Sequence, residues 1–171
     1  ATLVVSTGRF YTAPAGTAIP TDLSAPGTPW KEVGHTSLED VLTFNSEGGE
    51  ATVLGTLQSP ALRTSYSKRV ESFQFTLQQW DENGQKLYFG SNAVVNAGLL
   101  EVPTDPTPTE CAFLVVFKDK AKMLPIYAPK AEIFRADNIE ISDTESLAGL
   151  PLKVTPLANG TNAYSYAIGL L

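Results

Sequence analysis

The fold turns on residues 70–80, Val70-Glu71-Ser72-Phe73-Gln74-Phe75-Thr76-Leu77-Gln78-Gln79-Trp80. Phe73, Phe75 and Leu77 alternate with Ser72, Gln74, Thr76 and Gln78, and a period of two places one set in a core and the other on an accessible face of a β-strand. The accessible set is polar without charge. That is unusual for a fully solvated strand face and suits a surface that is wet yet holds nothing tightly; the alternative is an ordinary exposed strand.

Strand signals continue on both sides of this stretch. Residues 31–36 and 38–45 read as two short strands, with Val33, Val41, Thr43 and Phe44 as β-formers and Gly34 at a bend. Asp81 offers an N-cap to a helix over 82–90, in which Leu87, Tyr88 and Phe89 follow a polar first turn and Gly90 closes the end. Gly84 weakens that helix by about 1 kcal/mol relative to alanine. Residues 98–109, with Pro103, Pro106 and Pro108, form a stiff polar connection. The apolar run 111–117, bounded by Pro108 and Asp119, is the mark of a strand covered on both faces. Lys118, Asp119, Lys120 and Lys122 make a charged hairpin turn into 123–128, and further strands are expected at 130–141, 150–157 and 164–171. The expected class is mainly β, a β-sandwich or partial barrel of antiparallel strands with one short flanking helix, in a single domain over 1–171.

Two segments stand outside this pattern. Residues 1–29 read as an extended N-terminal arm, because Pro14, Gly16, Thr17 and Pro20 leave too little apolar surface to hold it in place. Yet Phe10, Tyr11 and Ile19 on that arm would each gain about 1.5–3 kcal/mol on burial, so a partner surface is their expected destination. Residues 46–68 are interrupted by Gly48-Gly49, Gly55 and Ser59-Pro60 and read as a long loop or an extended hairpin. Connections beyond about 12–15 residues are usually functional or disordered. With Val53, Leu54, Leu57 and Leu62, and with the basic Arg63, Lys68 and Arg69, this segment is a candidate contact element.

Composition narrows the function. The chain has 171 residues, 43% of them hydrophobic, enough for one domain with a sizeable core. Twelve basic against eighteen acidic residues give a net charge of -6, which argues against gripping nucleic acid through its phosphates. The single cysteine, Cys111, permits no intrachain disulfide and reads as a small core residue. The opening Ala1-Thr2-Leu3-Val4-Val5 lacks the features of a signal peptide and no run reaches the length of a membrane span, so synthesis in a cytoplasm and no membrane association are expected.

Catalytic signals are sparse. The one histidine, His35, has no Gly-x-Ser-x-Gly turn to accompany it. Glu39 and Asp40 are adjacent, so on a strand they point to opposite faces and cannot act as a pair. Asp137, Glu140, Asp143 and Glu145 lack the glycine and ligand order of a calcium loop. No enzymatic activity, cofactor or metal is expected.

The run Gly8-Arg9-Phe10-Tyr11-Thr12-Ala13-Pro14-Ala15-Gly16-Thr17-Ala18-Ile19-Pro20, then Val33-Gly34-His35-Thr36, Leu87-Tyr88-Phe89-Gly90 and Leu150-Pro151-Leu152-Lys153-Val154-Thr155, taken in this order, resembles the major tail proteins of long-tailed, siphovirus-type bacteriophages, especially those of actinobacterial hosts. The resemblance extends over nearly the whole chain. It implies a structural virion protein, made in the host cytoplasm, that polymerises as stacked sixfold rings into the tail tube. It further implies a tape measure protein, a tail terminator and a distal tail protein as partners besides further copies of the chain, with double-stranded DNA present only in transit. Some relatives append an immunoglobulin-like domain; none is expected here.

In such a tube a basic lumen would hold DNA, which carries about one negative charge per 1.7 Å of axis, whereas a neutral or acidic lining lets it slide. Ser72, Gln74, Thr76 and Gln78 are therefore candidate lumen residues. Phe10, Tyr11 and Ile19 are candidates for the subunit interface, and Val53, Leu54, Leu57, Leu62, Arg63, Lys68 and Arg69 for contacts between rings. The alternative is a non-enzymatic β-sandwich binding module, such as a capsid decoration or receptor-binding domain. That reading wants a concave cluster of exposed aromatics, and here the aromatics are spread along the chain.

Overall fold

The computed structural model describes residues 2–160 and 163–171. In chain order the elements are β1 (Thr7–Ala13), β2 (Lys31–Glu32), β3 (Thr43–Glu47), β4 (Ala51–Leu54), β5 (Arg63–Tyr66), β6 (Val70–Leu77), α1 (Glu82–Phe89), β7 (Val94–Asn96), β8 (Leu99–Glu101), β9 (Thr109–Asp119), β10 (Lys122–Arg135), β11 (Leu150–Pro156) and β12 (Ala167–Ile168). An eight-stranded sheet runs in the order β2-β1-β9-β10-β11-β6-β3, with β12 added to β10, while β4–β5 and β7–β8 are separate two-stranded hairpins. Every pairing is antiparallel.

The buried run of β9 explains the layering. Cys111, Phe113, Val115 and Phe117 face the principal core, with Phe10 of β1, Phe73, Phe75 and Leu77 of β6, and Leu150, Leu152 and Val154 of β11. Ala112, Leu114 and Val116 face the other way, into a second cluster with Tyr11, Ala13, Trp30 and Tyr127. Both faces of β9 are therefore covered, as its unbroken apolar sequence requires. The sheet folds over on itself, so that Phe10 stacks on Phe75 at 4.6 Å although β9, β10 and β11 lie between their strands in the sheet order. The register of β10 shifts between Ala128 and Ala131, at Pro129, and a bulge of this kind bends a strand and increases its twist. The sheet does not close into a barrel. It ends at β2 on one side and β3 on the other.

The helix forms where the sequence predicts it. Asp81 accepts a hydrogen bond from the Gly84 backbone N–H at 2.8 Å, and the Gly90 N–H closes the other end on the Lys86 carbonyl. Leu87 and Tyr88 enter the principal core, and the Tyr88 hydroxyl donates to the Asp137 carbonyl at 2.6 Å.

The expected N-terminal arm is corrected. Residues 7–13 form β1, paired over its whole length with β9, and Phe10 and Tyr11 are 1% and 6% exposed. They fill the two faces of the subunit's own sheet instead of reaching for a neighbour. Proline and glycine after residue 13 do not weaken the strand before them, because its partner is a strand a hundred residues away. The irregular segment that follows folds back over the second cluster. Trp30 donates its indole N–H to the Ala18 carbonyl at 3.2 Å, the Tyr127 hydroxyl donates to the Thr17 carbonyl, and Gly16 N–H donates to the Pro129 carbonyl at 2.8 Å. Of the three expected interface residues only Ile19, 44% exposed, stays at the surface.

Smaller differences follow the same logic. The strand expected at 31–36 contracts to β2, the one expected at 38–45 is displaced to β3 at 43–47, the connection over 98–109 contains β8, and the segments at 123–128 and 130–141 are one bulged strand ending at Arg135. At the C-terminal end the strand covers only Ala167–Ile168.

Candidate assembly surfaces

Residues 46–68 take the hairpin form of the two expected. The β3–β6 ladder ends at Glu47 opposite Val70, the Ser67 N–H donates to the Glu50 carbonyl at 3.0 Å, and a second ladder starts at Ala51 opposite Tyr66. The two ladders form one ribbon with a break at Gly48-Gly49. Both glycines have positive φ, 90° and 70°, which only glycine adopts without strain. A side chain on Gly48 would also collide with the Lys68 carbonyl, its Cβ lying 2.1 Å away.

Beyond this break the hairpin leaves the body. Every residue of β4 and β5 is exposed. Val53, Leu54, Leu57 and Leu62 stand between 51% and 93% exposed, so the subunit itself does not bury them. Of the three basic residues, Arg69 belongs to the root of the hairpin. Its guanidinium donates to Ser46 Oγ at 3.2 Å and lies against Gly49. Arg63 and Lys68 are exposed.

The polar set of β6 divides. Ser72 is only 4% exposed and is corrected from accessible to buried. Gln74 and Thr76 are half-buried on the face away from the principal core, in register with Lys153 and Pro151 on β11, and Thr43 of β3 stands on the other side of Gln74. Around Gln74 and Thr76 the neighbours are thus Thr43, Pro151 and the cation Lys153. Gln78 lies past the strand end, where its N–H donates to the His35 carbonyl at 2.7 Å.

A second exposed hairpin went unread in the sequence. β7 and β8 pair around Ala97 and Gly98, both with positive φ, 50° and 79°, and leave Val94, Val95 and Leu99 exposed. The signal was present: two short apolar runs joined through Asn96-Ala97-Gly98 are the pattern of a tight hairpin turn.

Among the described residues no group of three or more His, Cys, Asp or Glu side chains could hold a metal ion, and no helix is long and apolar enough to cross a membrane. Burial pushes the Cys111 thiol up to about 12, with the neighbouring Glu110 charge adding to the effect, so it stays a protonated core group. Asp143 is held below the usual carboxylate range by hydrogen bonds from the Ser146 hydroxyl and from the backbone of Ser146 and Glu145.

Comparison with known proteins places this geometry. A family model described as phage tail tube protein matches residues 1–168. The chain is similar to the major tail protein Gp23 of Mycobacterium phage D29 and to the major tail protein Gp23 of Mycobacterium phage L5. Each is 38% identical over 170 residues, spanning 92% of this chain and 85% of the relative. The chain therefore belongs to the phage tail tube protein family, and it is a structural component of the virion tail, not an enzyme.

Proposed function

We propose that copies of this chain join into rings, six to a ring as the family resemblance implies, and that the rings stack into a tube through which double-stranded DNA passes. The observation that carries this reading is the β4–β5 hairpin, which projects Val53, Leu54, Leu57 and Leu62 into solvent. An isolated two-stranded hairpin is marginal in water, and burying each of these side chains is worth about 1.5–3 kcal/mol. A neighbouring ring supplies the missing cover. The free edges at β2 and β3 give lateral contacts the same motive, because unpaired edges invite pairing with another chain. Ile19 adds to a lateral contact.

For the channel, Gln74, Thr76 and Gln78 remain the proposed lining, and Ser72 supports them from within the sheet. The net charge of -6 fits a channel that lets DNA slide, since few fixed cations are available to displace its counterions. A tape measure protein, a tail terminator and a distal tail protein are the proposed partners at the inside and the two ends. Negative-stain electron microscopy of the concentrated protein tests the reading: hollow rods or stacked rings support it, and a uniform field of monomers overturns it.

A further inference from the structure

The β4–β5 and β7–β8 hairpins lie at opposite ends of β6. The first continues the ribbon beyond Val70. The second follows α1, which begins just after Leu77. Its root is tied down by Ser91 N–H donating to the Thr107 carbonyl at 2.8 Å and by Asn92 Nδ2 donating to the Asp105 carbonyl at 2.9 Å. Thr109 is opposite Ile133, Ile133 opposite Val154, and Val154 opposite Phe73, so the residues before Thr109 run toward the Leu77 side of the sheet. An eight-residue strand at about 3.3 Å per residue holds the two ends roughly 25 Å apart.

The two hairpins are alike in what they lack and unlike in charge. Both are two-stranded sheets of their own with exposed apolar side chains, Leu57 and Leu62 on one and Val94 and Leu99 on the other, at 58% to 93% exposure. Residues 50–68 carry Arg63 and Lys68 against the single carboxylate of Glu50, whereas residues 91–107 carry Glu101 and Asp105 and neither lysine nor arginine. A basic apolar hairpin at one end and an acidic apolar hairpin at the other form complementary halves that one subunit cannot bring together.

We propose that the β7–β8 hairpin is the docking surface for the β4–β5 hairpin of a second copy of this chain, with Leu57 and Leu62 seated against Val94 and Leu99, and with Arg63 and Lys68 facing Glu101 and Asp105. This rests on the stacked-tube reading and names the surface that receives the arm. The contact is head-to-tail. Unlike a twofold contact it does not close, and repeated along one axis it produces a filament of open length. Opposed charge at the two ends also favours one polarity of addition, because like ends repel.

The test uses charge reversal in the full chain. Arg63→Glu with Lys68→Glu, and separately Glu101→Lys with Asp105→Lys, should each raise the concentration needed for rods to form by about tenfold. The four substitutions combined should return it to near the wild-type value. All four positions are exposed, so circular dichroism melts should match the wild type and exclude misfolding as the cause. Failure of the combined variant to recover beyond either reversal overturns the docking surface while leaving the tube intact. Absence of rods from the wild-type protein overturns the tube reading itself. A second measurement stands apart from charge: in a Cys111→Ala background, Leu57→Cys with Leu99→Cys should give disulfide-linked ladders longer than dimers on oxidation of assembled rods, and a mixture of monomer and dimer overturns the pairing.

Discussion

The ring of Phe10 lies on the ring of Phe75 at 4.6 Å with 27° between their planes, joining β1 to β6 across the interior of the folded sheet. Phe113 from β9 approaches both, at 6.2 Å and 5.9 Å. Three strands distant in sequence thus share one aromatic cluster, and such pairs contribute about 0.5–1.5 kcal/mol beyond the area that they bury.

Phe10→Ala should therefore destabilise the isolated subunit by about 3–5 kcal/mol, the usual range for removing a buried phenylalanine. Ile19→Ala, at a surface position, should stay within about 0.5 kcal/mol of the wild type. Urea unfolding followed by circular dichroism distinguishes the two. Equal, small losses would return Phe10 to an arm that lies outside the core.

Lysine on the proposed lining tests the channel. With Gln74→Lys, Thr76→Lys and Gln78→Lys combined, tubes should still assemble while DNA ejection slows. The slowing should fade as salt is raised, because added fixed cations hold phosphates through an interaction that salt screens. Ejection at the wild-type rate in low salt would remove β6 from the lumen.

Hydrogen exchange should report on the arm. Residues 51–54 and 63–66 are paired with one another and all exposed, a combination with little local resistance to opening. Their amides should exchange rapidly in the free subunit and become protected in rods, while those of β9 are protected in both. Slow exchange of the hairpin already in the monomer would mean that stacking relies on another surface.

Cys111 supplies a pH signature. Burial raises its thiol from 9.0 to about 12 in the folded chain, so between these values the unfolded chain has lost a proton that the folded chain retains. The thiol's contribution is then complete below about pH 9 and is lost as the pH rises toward 12. The stability difference between the wild type and Cys111→Ala should shrink over that window and stay level from pH 6 to 8. A thiol reagent should leave native protein unlabelled at pH 8 and label it fully in denaturant, since the thiolate is the reactive form.

What the sequence by itself determined are features whose cause is local. The alternation of Phe73, Phe75 and Leu77, the cap at Asp81 with its stop at Gly90, and the unbroken run from Cys111 to Phe117 each state their structure within a dozen residues, and each appears in the fold. The order of motifs was also enough to indicate the family. What only the tertiary structure decided depends on partners far along the chain. Gly8-Arg9-Phe10-Tyr11 has no period long enough to announce a strand, and becomes one because Phe117, Val116, Val115 and Leu114 lie opposite it. Ser72 shares its parity with Gln74 and Thr76 yet is buried where they are half-buried, a difference that the alternation cannot see. The same holds for the two hairpins: the residues that make them sticky are visible in the sequence, but their placement at opposite ends of β6 is set by pairing between residues as far apart as Phe73 and Val154, which no local pattern encodes.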